Sequence, residues 1–284
     1  MARSMNTDRA RAGGGVDGRR RALLILTGAV VLVLALLVGV VVSLTGMFGQ
    51  DEPSSTYQGP PAPTGPGAAG GTGAGSGPEA EAALARMPML DIPAQAAMPH
   101  TLSTRSAGSP ITLPQPEQVS GVLVPTGFPD SEEGAIAQAV ELARVGMAGA
   151  DPQVWAQAYN SLAEPGAAEP TRTPAARNLV GLRRAANMRE TGPLRSGMTI
   201  SWTPTSAMVK GSTDDGTYTV ACVLGELVAD NKGRVVTAGW GTCLPMRRVD
   251  DQWRVASGPA AADAPAAWPG SDEAVAAGYR DIIR

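Results

Sequence analysis

The apolar positions of this chain change rhythm three times. From Ala22 to Phe48 no residue is charged, and only Thr27, Ser43 and Thr45 carry side-chain hydroxyls. From Asp51 to about Ser109 large apolar side chains become scarce among Pro, Gly, Ala and Ser, as in "PPAPTGPGAAGGTGAGSG". From Asp130 they return every three or four residues, the period of a helix, and from Met198 every second residue, the period of a strand.

The first run predicts a transmembrane helix over residues 22–48. About 20 apolar residues cross a hydrocarbon core roughly 30 Å thick, and in lipid a helix satisfies its own backbone. A signal peptide would have a shorter apolar region, about 7–15 residues, and a small-residue cleavage site. Arg3, Arg9, Arg11, Arg19, Arg20 and Arg21 precede the run, while Asp51 and Glu52 follow it. Positive residues stay on the cytoplasmic side, so the expected topology is single-pass in the cell (inner or plasma) membrane. Residues 1–21 are expected to be a disordered basic cytoplasmic tail, and everything after about residue 49 is expected to be extracytoplasmic. Gly28, Ala35, Gly39 and Gly46 fall on one azimuth of that helix, a small-residue face suited to self-association or to packing on another subunit.

Residues 49–118 are expected to be a Pro/Gly/Ala-rich linker with a reach of about 40 Å, interrupted by a helical patch, Glu79–Met87. The segment "VSGVLVPTGFP", Val119–Pro129, is expected to lie extended against a domain spanning 119–257. Asp130 as N-cap with Glu133 three residues on starts a helix to about Ala148, carrying Ile136, Val140, Ala143 and Met147. Asp151-Pro152 starts a second, presenting Val154, Trp155, Tyr159 and Leu162. Thr173-Pro174 starts a third, with Leu179, Leu182, Ala186 and Met188, ending before Gly192-Pro193. Four strands follow: 198–210, 216–229, 234–249 and 252–257, separated by short turns and therefore antiparallel. Helices first and a meander sheet after them predict an α+β domain, with N-terminal helices packed on a curved four-stranded antiparallel sheet. Residues 258–284 are a tail whose terminal helix, capped by Ser271, lines up Val275, Tyr279 and Ile282 and either docks or binds a partner.

Charge and chemistry change this picture little. The formal net charge is −3 and Lys210 and Lys232 are the only lysines, which argues against nucleic acid as a partner. The single histidine, His100, lies in the linker, so a histidine-based metal site or catalytic triad is not expected, nor is any cofactor. Glu226, mid-strand on an apolar face, is the one candidate general base, but pairing with Arg247 or Arg248 or solvation at the sheet end is the plainer reading. Asp214-Asp215 and Asp250-Asp251 sit where turns favour aspartate. The chain is not expected to be an enzyme. Five tryptophans are expected to build the core, except Trp268, which either anchors the tail or contacts a partner. Arg177, Arg183, Arg184, Arg189 and Arg195 make the third helix and its exit basic, a solvated face or a contact for an acidic partner.

Cys222 and Cys243, the only cysteines, end the longest hairpin. With Lys232-Gly233 as its two-residue turn they face each other directly, and opposed strand positions lie within disulfide reach. A bulge at Gly239 or Gly241 would shift that register by one. Outside the cell a disulfide persists, and without a CxxC spacing or a nearby histidine neither redox cycling nor zinc is favoured.

Short helices leading into a curved sheet whose final hairpin reads "MRRVDDQWRV" resemble the cone-shaped, cystatin-like fold of ketosteroid isomerase and nuclear-transport-factor-like domains. With the basic N-terminus, span and tether in front, the plan resembles the bitopic assembly subunit of conjugation and type IV secretion machines. That resemblance implies a non-enzymatic scaffold that contacts other membrane-complex subunits. Mce-associated membrane proteins of actinobacteria are similar in plan, and the Ala-, Gly- and Arg-rich, Lys-poor composition fits an actinobacterial, high-GC genome. They imply the alternative, a lipid- or small-ligand-binding accessory domain of an envelope transport system.

Overall fold

A computed structural model describes residues 75–284. The expected cytoplasmic tail, the span 22–48 with its Gly28, Ala35, Gly39 and Gly46 face, and the linker up to residue 74 lie outside the described residues. Among the described residues no helix is long and apolar enough to cross a membrane.

The central helices follow their caps. In α2, Glu132–Gly146, the capping residue is Ser131 rather than Asp130, its hydroxyl accepting the Gly134 N–H at 3.1 Å. α1 is the preceding nine-residue helix, Pro78–Arg86. Asp151 caps α3, Pro152–Leu162, through the Gln153 N–H, and Thr173 caps α4, Pro174–Ala185, through the Ala176 N–H. Each cap satisfies an N–H that the first turn leaves unpaired. α4 ends earlier than its apolar period suggested, because Asn187 adopts a left-handed backbone with φ 51°.

The sheet has six strands, not four. The expected meander is β2 (Met198–Thr213), β3 (Tyr218–Asn231), β4 (Arg234–Val249) and β5 (Gln252–Val255), all antiparallel. β1 (Ile111–Thr112) and β6 (Arg280–Ile283) are added at its free edge, in the order β1-β6-β2-β3-β4-β5. Register shifts in β2 at Thr205 and Lys210 insert extra residues, and such bulges bend and twist a strand, curling the sheet into a half-barrel around α2. α2 fills the hollow: Ala135, Ile136, Ala139, Val140, Leu142 and Ala143 are all buried.

The two additional strands come from segments expected to be linker and terminal helix. The expected long C-terminal helix is only α5, Asp272–Ala277, because Gly278 takes a left-handed conformation (φ 96°) and ends it. The chain then forms β6, Arg280–Ile283, pairing antiparallel with β2 (Ala207↔Arg280) and parallel with β1, Ile111–Thr112 (Ile111↔Ile282). Residues 75–118 are likewise not a free tether. α1 lies against the sheet with Leu84 and Ala85 buried.

The sheet is therefore covered on both faces. The inner face packs Ala221, Val223, Leu227, Leu244, Met246 and Val255 against α2, α3 and α4. The outer face packs Tyr218, Val220, Cys222, Leu224 and Cys243 against Leu84 of α1 and against Ala261, Ala267, Ala274, Ala277 and Tyr279 of the tail. This alternation along β3 is the period-two pattern of its sequence, with both sides apolar because both are buried.

Candidate functional site

The cysteines meet as the sequence requires. β3 and β4 pair without interruption from Asn231↔Arg234 through Cys222↔Cys243 to Tyr218↔Arg247, so Gly239 and Gly241 are not bulged. Cys222 and Cys243 form a disulfide that bridges neighbouring strands on the outer face. Met89, from the segment after α1, covers it, with its Sδ 3.4 Å from Cys243 Sγ and 3.7 Å from Cys222 Sγ. The pair is a buried staple rather than an exposed reactive thiol site.

The glycines beside it on β4, Gly239 and Gly241, serve another purpose. A Cβ on Gly239 would collide with the carbonyl of Ala267, and one on Gly241 would press on Pro265, so the tail backbone lies directly on the strand. Trp268 sits half-buried where this tail crosses, its backbone N–H donating to the Ala96 carbonyl at 2.6 Å.

α1 is fastened by residues of the sheet. Its own N-cap, Gly77, offers no side chain, and Asp214 from the β2–β3 turn accepts the Gly77 N–H at 2.8 Å. At the other end the Lys210 ammonium donates to the carbonyls of Ala85 (2.9 Å) and Met87. A carboxylate at the N-terminus and an ammonium at the C-terminus complement the helix dipole. Burial pushes the Lys210 ammonium down to about 8. The Gly77 and Thr213 hydrogen bonds hold Asp214 below the ordinary carboxylate range. Between these ends Arg247 binds Glu81 of α1, Glu164 (2.9 Å) and Ser257 (2.8 Å), and stacks over Tyr218. Burial raises the Glu81 carboxyl even with Arg247 beside it.

The arginines of α4 are used internally more than expected. Arg183 is 1% exposed and donates to the carbonyls of Ala150 (2.6 Å), Gly192 (2.8 Å), Gly149 and Arg189, with Asp151 at 3.7 Å. It ties α4 to the turn after α2, so the expected partner contact at Arg183 is corrected to an internal one. Arg177 reaches Asp263 of the tail (3.4 Å), and Arg184 pairs with Glu190 at 2.6 Å; both remain exposed. Arg177, Arg184 and Arg195 do not share a helical face, because α4 ends at Ala185.

Glu226 is half-buried on the outer face, opposite Thr203 and Gly239, and neither suggested arginine reaches it. Arg247 is held as above, and Arg248 donates to the Phe128 carbonyl at 2.7 Å. His100 bridges Met98 O and Glu273 (3.0 Å), and both contacts raise its pKa, Met98 first. Among the described residues no cluster of His, Cys, Asp or Glu is arranged to hold a metal. The interior between helices and sheet is filled by Trp155, Trp253, Phe128, Leu142, Met147 and Leu244, each buried to within 2%.

Among the described residues, cavities open at the surface in several places. One of about 700 Å³ lies at the β2–β3 turn, lined by Gly75, Ser76, Glu132 and residues 212–216. One of about 310 Å³ lies by β6, reached by Ser206 and Arg280. One of about 340 Å³ lies past α4, lined by Met188, Arg189, Leu194 and Arg195. Sequence reasoning missed Lys210, Glu81 and Glu164 as fasteners. The signal was available only for Lys210, a cation interrupting the alternation of β2. No family model, curated protein or solved structure matches the chain.

Proposed function

We propose that this chain is a membrane-anchored, extracytoplasmic protein-interaction scaffold, non-catalytic, of the kind that conjugation and type IV secretion machines use. The observation that carries the reading is the filled interior. In a cone-shaped domain that binds a ligand or performs catalysis, the hollow between helices and sheet is the expected pocket. Here Trp155, Trp253 and Leu142 occupy it, leaving surfaces as the means of recognition. The buried disulfide agrees with an extracytoplasmic location, because such bonds persist in oxidising compartments.

The small-ligand alternative has one observation in its favour. Ser206 Oγ is buried without a hydrogen-bond partner and lines the 310 Å³ cavity beside β6. That volume is at the lower limit for ligand sites, about 300–1,000 Å³.

Site-directed photocrosslinking in intact cells, from positions spread over the outer domain, tests the scaffold. Recovery of other subunits of one membrane complex is the expected result. If the protein itself is the only product from every position, the scaffold reading fails.

A further inference from the structure

We propose that the end of the sheet carrying the β3–β4 turn docks an acidic segment of a partner protein; this rests on the scaffold reading and names the chemistry of its partner. Lys232 and Gly233, with φ of 55° and 83°, make the two-residue turn, and Asp230 closes it by accepting the Gly233 N–H at 2.7 Å. The turn leads into Arg234 and then Val235 and Val236, which are 58% and 60% exposed. Successive strand residues face opposite sides, so this end is apolar on both.

Other cations gather at the same place. The Lys232 N–H bonds the Gly197 carbonyl (2.9 Å) and Met198 pairs with Asn231, which brings the lead-in to β2 alongside. The Met198 N–H in turn bonds the Arg195 carbonyl at 3.0 Å. Arg195 and Arg189 line the open 340 Å³ depression with Met188 and Leu194. Arg195 donates its guanidinium to the Ala186 and Asn187 carbonyls at the end of α4, and no carboxylate pairs with it. Setting aside Glu190, which pairs with Arg184, residues 186–198 and 230–236 carry four cations (Arg189, Arg195, Lys232, Arg234) and one carboxylate, Asp230, in a chain whose net charge is −3. None of the four takes part in the ion pairs formed among the described residues.

An exposed aliphatic pair, with Lys232 and Arg234 beside it and further cations without a carboxylate partner on the adjoining lead-in to β2, is complementary to a segment mixing carboxylates with apolar residues. Val235 and Val236 face opposite sides of the sheet, so a peptide segment can engage both together, whereas a flat lipid surface reaches only one.

The test is fluorescence anisotropy of the full-length protein in neutral detergent with a labelled twelve-residue peptide of alternating Glu and Val, beside its Lys-Val counterpart. The Glu-Val probe is expected to bind and to weaken about tenfold between 0.05 and 0.5 M NaCl. The double variant Lys232→Glu/Arg234→Glu is expected to lose about tenfold in affinity, whereas Asp215→Lys, at the other end, leaves it unchanged. Equal binding by the double variant, equal binding of both peptides, or no saturable binding overturns the proposal. So does charge-dependent capture of this end by phosphatidylglycerol vesicles that the peptide does not displace. In the crosslinking experiment, products from every region except Val236 would leave the scaffold standing and remove this docking site.

Discussion

The two faces of the sheet are closed by different means. On the inner face the partners are large: Trp155, Tyr159, Leu142, Ile136 and Leu179 come from three helices that follow one another in the chain. On the outer face the tail contributes mainly alanine, at 261, 267, 274 and 277, with Leu84 and Tyr279 the main large side chains brought by the covering segments. Apolar stabilisation scales with buried area, so an alanine cover adds far less than an aromatic and leucine cover. The outer cover is held instead by close backbone approach over Gly239 and Gly241 and by single polar fasteners, Asp214, Lys210 and Arg247. A helix of nine residues such as α1 is marginal by itself, and its caps come from the sheet it covers. Inner packing makes the domain, and outer packing is conditional on it.

The largest effect should therefore follow from the inner face. Trp155→Ala removes a fully buried indole and its hydrogen bond to Thr173 at 2.9 Å, and is expected to cost about 3–5 kcal/mol. Urea denaturation followed by far-UV circular dichroism would show the midpoint fall for the whole domain in one transition. A loss under about 1 kcal/mol would mean that the inner core is not the organising one.

Gly239→Val addresses the other face. Its side chain would occupy the place of the Ala267 carbonyl and lift the tail. The expected cost is smaller, about 1–3 kcal/mol, as for other overpacked sites. It should appear first as protease sensitivity within residues 258–268, with the helical signal intact. If the variant instead unfolds in one step with α2 to α4, the two faces are one cooperative unit and the contrast between them disappears.

The same contrast decides what could be read in advance. Asp151-Pro152 and Thr173-Pro174 announce their helices because a cap and its helix are neighbours in sequence, and the reading of Asp130 as the first cap misses Ser131 by one residue. The Lys232-Gly233 turn fixes the register down to Cys222↔Cys243 for the same reason. The outer cover was read as linker and helix because its signals are not local. Gly77 is capped by Asp214, Ala85 by Lys210 and Glu81 by Arg247, each more than a hundred residues away. Two local signs were present. Gly239 and Gly241 mark a close backbone approach as readily as a bulge, and Gly278 stops a helix just before the alternating "YRDII". Among the α4 arginines, the inward course of Arg183 was not legible, because the Ala150 carbonyl that accepts from it lies 33 residues away in the chain.

The smallest effect tests whether Lys210 fastens the outer cover at a cost. Burial lowers its ammonium from the ordinary value of 10.5 to about 8. Between those values the unfolded chain binds more protons than the folded one, so stability rises with pH across that window. The cost of the buried charge is complete below pH 8 and gone above 10.5. Three tyrosines oppose this at the alkaline end. Burial raises the hydroxyls of Tyr159 (to about 12), Tyr218 and Tyr279, so above about pH 10 the unfolded chain ionises first and stability falls. The urea midpoint should pass through a shallow maximum near pH 9–10, with a rise from pH 7.5 of under about 1 kcal/mol because water partly screens the ammonium. Lys210→Met should abolish the rising limb and keep the falling one. A variant that retains the rise would assign the titration to another group and leave α1 held by Arg247 and Asp214 alone.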